Sequence, residues 1–360
     1  MREKFENRNL HGSIKIKMDE AKGYWIGDKN TVVNAIIDIA EEYDDGGYVL
    51  TLRQLYYQLV SRDIIPNHDK VYSKISSIKD DVVYSGLVDW DVFEDRGRVP
   101  ILAYFEENIP NALQRTIDNY HLDRQLGQTN HVEVWTEKDA ISSILRRVTD
   151  SFTIRLVINK GYTSSTAIHQ AYERFIDVMN EGKTVTILYF GDHDPSGMDM
   201  IRDIYDRLMF MFVNGERKDD YNMANVIESW SADIMDEDDL PDHINDNYDT
   251  FMDADGFNWT RAFFYTFFKV VPVGLTMQQI KLYQPPPNPA KITDPRAKGY
   301  IKKYGAISWE VDALKPDIMI EIVKNAILEN ISVEQFNSVI ERENDEISQV
   351  KTIIESLDNQ

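Results

Sequence analysis

The sequence predicts a mixed chain: an α/β unit with a mainly parallel sheet, preceded by a helical α+β module. Three observations carry this. Residues 132–135, 153–158 and 185–190 are apolar, β-branched runs bounded by turns, the pattern of buried strands. Helical spacing of apolar residues fills the stretches between them, at Ile141–Val148 and Ala167–Ile176, and such alternation demands parallel strands joined by crossovers. Upstream, two amphipathic helices precede the alternating segment Gly86–Phe93, read as a strand, and the charged turn Glu94–Arg98, the order of a winged helix.

A length of 360 residues suits two or three domains. The expected division is an N-terminal arm and helix at 1–47, a winged-helix unit at 48–125, and the α/β unit at 126–360. The last carries an acidic insertion at about 216–256 and a helical C-terminal part. The absence of cysteine excludes disulfides and Cys-based zinc sites. No apolar run approaches membrane-spanning length, and Met1-Arg2-Glu3-Lys4 does not open a signal peptide. The expectation is a cytoplasmic protein with no membrane partner. The net charge of −22 argues against nucleic-acid binding if taken alone. Its distribution is uneven: Glu216–Asp255 holds fourteen acids against Arg217 and Lys218, more than half of that charge. Such a run reads as a solvated surface insertion.

The candidate site centres on Phe190-Gly191-Asp192-His193-Asp194-Pro195-Ser196-Gly197. Asp192 and Asp194 end a strand and precede a helix, at the sheet edge where open α/β folds bind ligands. Glu137 ends the first strand and belongs to the same edge. Neighbouring carboxylates repel unless a cation or proton compensates. Mg²⁺, with Mn²⁺ as a substitute, is the expected cofactor, because hard divalent ions take oxygen ligands. The simpler reading of this turn is an Asp N-cap on the following helix. His193 is a second acid–base candidate, although a loop hydrogen bond accounts for it more simply.

Thr51-Leu52-Arg53-Gln54-Leu55-Tyr56-Tyr57-Gln58 opens a helix through a Thr51/Gln54 capping box. Leu52, Leu55, Tyr56, Leu59 and Val60 make its apolar stripe. Tyr57 lies roughly 140° around from Leu52, on the side of Arg53 one turn earlier. Periodicity therefore expects Tyr56 buried and Tyr57 presented beside a guanidinium. Lys70, Lys74, Arg96 and Arg98 in this module are candidate DNA-phosphate contacts, as are Lys291, Arg296 and Lys298 in the most basic local stretch. Ile340, Ile347 and Ile354 recur at seven-residue spacing in a C-terminal helix, compatible with a dimer seam or with packing on its own domain.

Together these motifs resemble a family. Glu137 and the Asp192–Asp194 turn look like a Toprim domain. The tandem tyrosine at 56–57 in an upstream winged-helix-like module, and Glu310-Val311-Asp312-Ala313-Leu314, are similar to elements of the type IIB DNA topoisomerase A subunit and its meiotic double-strand-break relative. The likeness covers roughly residues 48–314. The short chain looks like the small free-standing A-subunit homologues of bacteria, phages and plasmids.

The resemblance implies Tyr57 as nucleophile, Arg53 as its partner, and Glu137, Asp192 and Asp194 as metal ligands, Glu137 doubling as general acid or base. It implies double-stranded DNA as substrate, a 5′-phosphotyrosyl link, and a homodimer in which each tyrosine serves the partner's metal site. No P-loop occurs, so strand passage would need a separate ATPase subunit, and the setting implied is the nucleoid. Two other readings fit the residues: a metal-dependent nuclease in which Tyr57 is structural, and a non-enzymatic DNA-binding subunit.

Overall fold

The computed structural model describes residues 29–94, 105–217, 252–253, 256–257 and 264–358. Helices α1 (Lys29–Asp45), α2 (Leu52–Ser61) and α3 (Asp69–Tyr84) pack around one core built from Val33, Ile36, Leu55, Leu59, Val71, Ile75 and Ile78. Helix α1, expected with the N-terminal arm in a unit of its own at 1–47, shares that core. The Thr51/Gln54 capping box starts α2 as expected.

The strand expected at Gly86–Phe93 does not form. Gly86 turns at positive φ, Trp90–Val92 is a single 3₁₀ turn, and only Phe93 bridges to Leu50. Val88 and Val92 are both buried, whereas Trp90 between them is 61% exposed against Tyr84. Leu87 is buried beside Val88 as well, so burial here does not follow the two-residue alternation of a strand with one covered face. The module is a three-helix unit among the described residues; Arg96 and Arg98 lie outside them, as does most of the acidic insertion.

Helix α4 (Ile109–Asp118) leads to the α/β unit. Its strands are β1 (Asn130–Thr136), β2 (Arg155–Ile158), β3 (Thr184–Phe190) and β4 (Phe268–Gly274). They form one parallel sheet in the order β2-β1-β3-β4. The three expected strands are present, and β4 is added beyond Phe268. Side chains alternate across the sheet. Val132, Val134, Leu188 and Phe190 pack with helices α5 (Ser142–Ser151) and α10 (Pro316–Leu328) on one face. Trp135, Val185, Ile187 and Tyr189 pack with α6 (Ser165–Asn180) and α7 (Pro195–Asn214) on the other.

After β4 come α8 (Met277–Tyr283), the antiparallel pair β5 (Pro287–Pro289) and β6 (Ile307–Trp309) with α9 (Ala297–Tyr304) between them, then α10 and the long α11 (Val333–Asp358). Helix α11 docks on its own chain. Glu343 accepts from the Leu122 N–H at 2.8 Å and from Arg124 at 2.9 Å, and Phe336 stacks near Phe152. Among the described residues, no helix is long and apolar enough to cross a membrane.

Candidate active site and metal centre

The strand order reverses direction between β1 and β3, which makes the gap beyond their carboxyl ends the switch point of the sheet, the usual ligand crevice. Thr136 pairs with Phe190 at that end, so Glu137 and Asp192 emerge side by side. The turn after β3 is tight. A Cβ on Gly197 would meet the Asp192 carbonyl oxygen at 2.4 Å, so only glycine fits there. Asp194 caps α7: its Oδ1 accepts the Gly197 N–H at 2.6 Å and the Ser196 hydroxyl at 3.1 Å. The simple capping role therefore holds for Asp194. Its carboxylate still lines the site cavity.

Strand β6 completes the site. His193 and Trp309 exchange backbone hydrogen bonds at 2.9 and 3.0 Å. The Val311 N–H donates to Asp192 Oδ1 at 2.9 Å. This pairing brings Glu310 and Asp312 against Asp192, and oxygens of the three carboxylates lie within 4.8 Å of one another. They form a cluster able to hold a metal ion. It is not the trio expected: Asp192 is common to both, while Glu310 and Asp312 join it in place of Glu137 and Asp194. The signal for Glu310 and Asp312 was the Glu-x-x-Ala-Leu segment, but nothing in the spacing says that β6 pairs with the 192–194 turn.

Cations answer these acids. Lys138 Nζ lies 2.6 Å from Asp192 Oδ2, 3.3 Å from Glu310 Oε2 and 3.8 Å from Asp312 Oδ1. Arg53, reaching in from α2, forks between Glu310 (2.7 Å) and Asp312 (2.8 Å). Asp312 is fully buried, and neither of its oxygens has a hydrogen bond of sound geometry.

Burial raises the pKa of Asp192 well above the ordinary range; Lys138 opposes this, and the neighbouring acids add to it. Burial likewise raises Glu137 and Asp312, each moderated by Lys138. For Glu310, burial works upward but Lys138, Tyr57 and Arg53 outweigh it and hold the group at about 2. Burial disfavours the Lys138 charge too, yet Asp192, Asp312 and Glu310 overcome it and keep the ammonium charged.

Both tyrosines of the pair are buried, Tyr56 to 4% and Tyr57 to 7% exposure, so Tyr57 is not presented to solvent as the helical wheel expects. The wheel places only the face towards the module's own core. The opposite face is covered by residues 310–314, arriving from across the chain, with Gln58 donating to the Leu314 carbonyl at 3.4 Å. The two tyrosines nonetheless differ in employment. Tyr56 is structural: its hydroxyl donates to Asn67 and accepts the His68 N–H at 2.6 Å, pinning the α2–α3 link. Tyr57 lines the cavity with Arg53 over its ring, 5.8 Å from the centroid. Burial first, then the Glu310 charge and hydrogen bond, raise the Tyr57 hydroxyl above its ordinary pKa, and Arg53 offsets only part of that.

The cavity, about 530 Å³, is lined by Arg53, Tyr57, Glu137, Lys138, Asp192, Asp194, Lys291 and Glu310, among others. One chain therefore brings together the residues that the resemblance divides between partners. Lys291 is exposed on the rim. Arg296 is engaged with Asp294 at 2.7 Å and Asp199 at 3.1 Å. Lys298, Lys70 and Lys74 are exposed but do not line the cavity. His193 is 2% exposed, with Nδ1 2.7 Å from the Tyr300 hydroxyl and rings of Tyr300, Tyr304 and Trp309 around it. It is a loop-fastening residue, packed among these aromatic rings.

Fold and site define a class: a parallel α/β domain whose switch point carries a carboxylate cluster able to hold a metal, closed on one side by a helical module. No known protein family, curated protein or solved structure matches the chain.

Proposed function

We propose that the protein cleaves DNA by tyrosine transesterification at a Mg²⁺-dependent carboxylate site. The observation that carries this is the shared cavity: Tyr57 and Arg53 from α2 line the same space as Glu137, Asp192, Asp194 and Glu310. The donor set is all oxygen, which suits a hard ion such as Mg²⁺ or Mn²⁺, and buried carboxylates held with raised pKa values are groups a divalent cation would relieve. Bound there, the ion would supply charge stabilisation at the transferring phosphoryl group.

The chain's own residues do the rest. Tyr57 attacks phosphorus, the 3′-oxygen leaves, and a 5′-phosphotyrosyl bond replaces the phosphodiester. Glu310 accepts from the Tyr57 hydroxyl and orients it, and the proton passes to solvent in the cavity as the phenolate forms beside Arg53. Arg53 positions the ring and offers its guanidinium to the phosphate. Glu137 stands at the β1 end as the acid for the departing 3′-oxygen. Exposed Lys70, Lys74, Lys291 and Lys298 are DNA-backbone contacts in this reading, and a homodimer and a separate ATPase subunit are its further partners.

One observation favours a second reading, hydrolytic cleavage by the metal site alone: Tyr57 is held protonated by burial and by Glu310. Supercoiled plasmid with Mg²⁺, quenched in detergent and run with and without proteinase, separates the two. Protein-linked breaks abolished in Tyr57→Phe and in Asp192→Ala support transesterification. Free breaks that persist in Tyr57→Phe and vanish in Asp192→Ala would establish the hydrolytic reading instead.

A further inference from the structure

The Lys138 ammonium sits among the three carboxylates of the cluster. Its Nζ contacts the same three carboxylates that make up the cluster, at 2.6, 3.3 and 3.8 Å. A divalent cation bonds carboxylate oxygens at about 2.0–2.6 Å. It would have to sit inside the space that Nζ fills, and two cations cannot share it.

We propose that Lys138 is a built-in placeholder cation, which a divalent ion displaces on entering the Asp192–Glu310–Asp312 cluster. Three features support the exchange. Asp312 is completely buried with both oxygens lacking a hydrogen bond, so Lys138 and Arg53 satisfy the cluster's charge but not its coordination. The Lys138 backbone is fixed at the end of β1, its N–H donating to Thr136 Oγ1 at 3.1 Å, so only the flexible side chain needs to move. Lys138 also lines the 530 Å³ cavity, which gives the released ammonium somewhere to go. In the metal-free protein the lysine offsets the mutual repulsion of the carboxylates and holds them converged. Under the cleavage reading, the released ammonium faces the phosphate. The inference itself rests on the metal reading of the cluster and on nothing about DNA.

The test uses the full chain and Mn²⁺ alone. Mn²⁺ binding, followed by the free-ion paramagnetic resonance signal, is compared in wild type, Lys138→Met and Asp312→Asn. Removing the competing ammonium is expected to tighten Mn²⁺ binding by about tenfold or more in Lys138→Met, the local Coulomb repulsion being lost, and Asp312→Asn is expected to weaken it. Acetylation of lysines in the wild type, read by peptide mass spectrometry with exposed Lys291 as the internal reference, provides a measurement that no folding defect can compromise. Lys138 labelling should rise when Mn²⁺ saturates the site. Equal Mn²⁺ affinity in wild type and Lys138→Met, or Lys138 labelling unchanged by Mn²⁺, overturns the exchange and leaves the metal site standing. No Mn²⁺ bound by either protein overturns both.

Discussion

Arg53 on α2 and Glu310 beyond β6 lie 2.7 Å apart across 257 positions of sequence. The same guanidinium reaches Asp312 at 2.8 Å, so one side chain fastens the helical module to the switch point of the sheet. The geometry needs the planar fork of arginine. Arg53→Lys keeps the charge but cannot bridge both acids. Half the Arg53 side chain is in solvent, which screens the pair. The expected cost is therefore modest, about 1–2 kcal/mol in urea denaturation. Cleavage should fall much further, because the Tyr57 ring loses its positioning contact.

Asp194 has two separable roles, and serine distinguishes them. Asp194→Ala removes the cap of α7 and should cost about 1 kcal/mol. Asp194→Ser restores a capping oxygen for the Gly197 N–H and should return to near wild-type stability in the same denaturation experiment. If Asp194 also serves the metal, Asp194→Ser stays defective in Mg²⁺-dependent cleavage; full activity in that variant would confine Asp194 to capping.

Gly197→Ala tests the turn itself. Its Cβ would lie 2.4 Å from the Asp192 carbonyl oxygen, a backbone atom that cannot swing aside. An overpacking cost of about 1–3 kcal/mol follows. Because the strain falls on Asp192, Mn²⁺ affinity should drop along with stability. Unchanged affinity would mean that the turn relaxes without moving the carboxylate.

Glu343 gives the pH signature of the C-terminal helix. Burial works to raise its pKa, but His121, Arg124 and the Leu122 N–H outweigh it and hold the group below its ordinary 4.5. A carboxylate whose pKa is depressed by folding stabilises above the unfolded value and loses that contribution as pH falls. Glu343→Gln should therefore destabilise the protein at neutral pH, by about 1–2 kcal/mol, the low end for charged hydrogen bonds because its partner His121 is half-exposed. The gap from wild type should close as pH drops below 4.5. A gap independent of pH would show that packing, not charge, is lost.

The sequence exposes the sheet because its central strands β1 and β3 are buried on both faces, leaving apolar runs that periodicity detects. Glu137, Asp192 and Asp194 were legible for the same reason: each follows directly from where a strand must end. The strand at Gly86–Phe93 was misread because the segment alternates in hydropathy but buries Leu87, Val88 and Val92 around a 3₁₀ turn. Tyr57 was misread because a helical wheel assigns one buried face, and the second comes from residues 310–314. Glu310 and Asp312 enter the cluster through the pairing of β6 with the 192–194 turn, a non-local contact that no local spacing encodes. Lys138 sits beside Glu137 in sequence, yet its role as the cation among three carboxylates emerges only when those carboxylates converge.

The central claim is that Tyr57 and the carboxylate cluster of one chain form one site. Mixing Tyr57→Phe and Asp192→Ala proteins in equal amounts, with plasmid and Mg²⁺, tests it directly against wild type in the detergent-quenched assay. Wild type is expected to yield protein-linked breaks, and the mixture none, since each chain lacks one half of its own site. Recovery of protein-linked breaks in the mixture would contradict this, placing the nucleophile and the metal carboxylates on different chains.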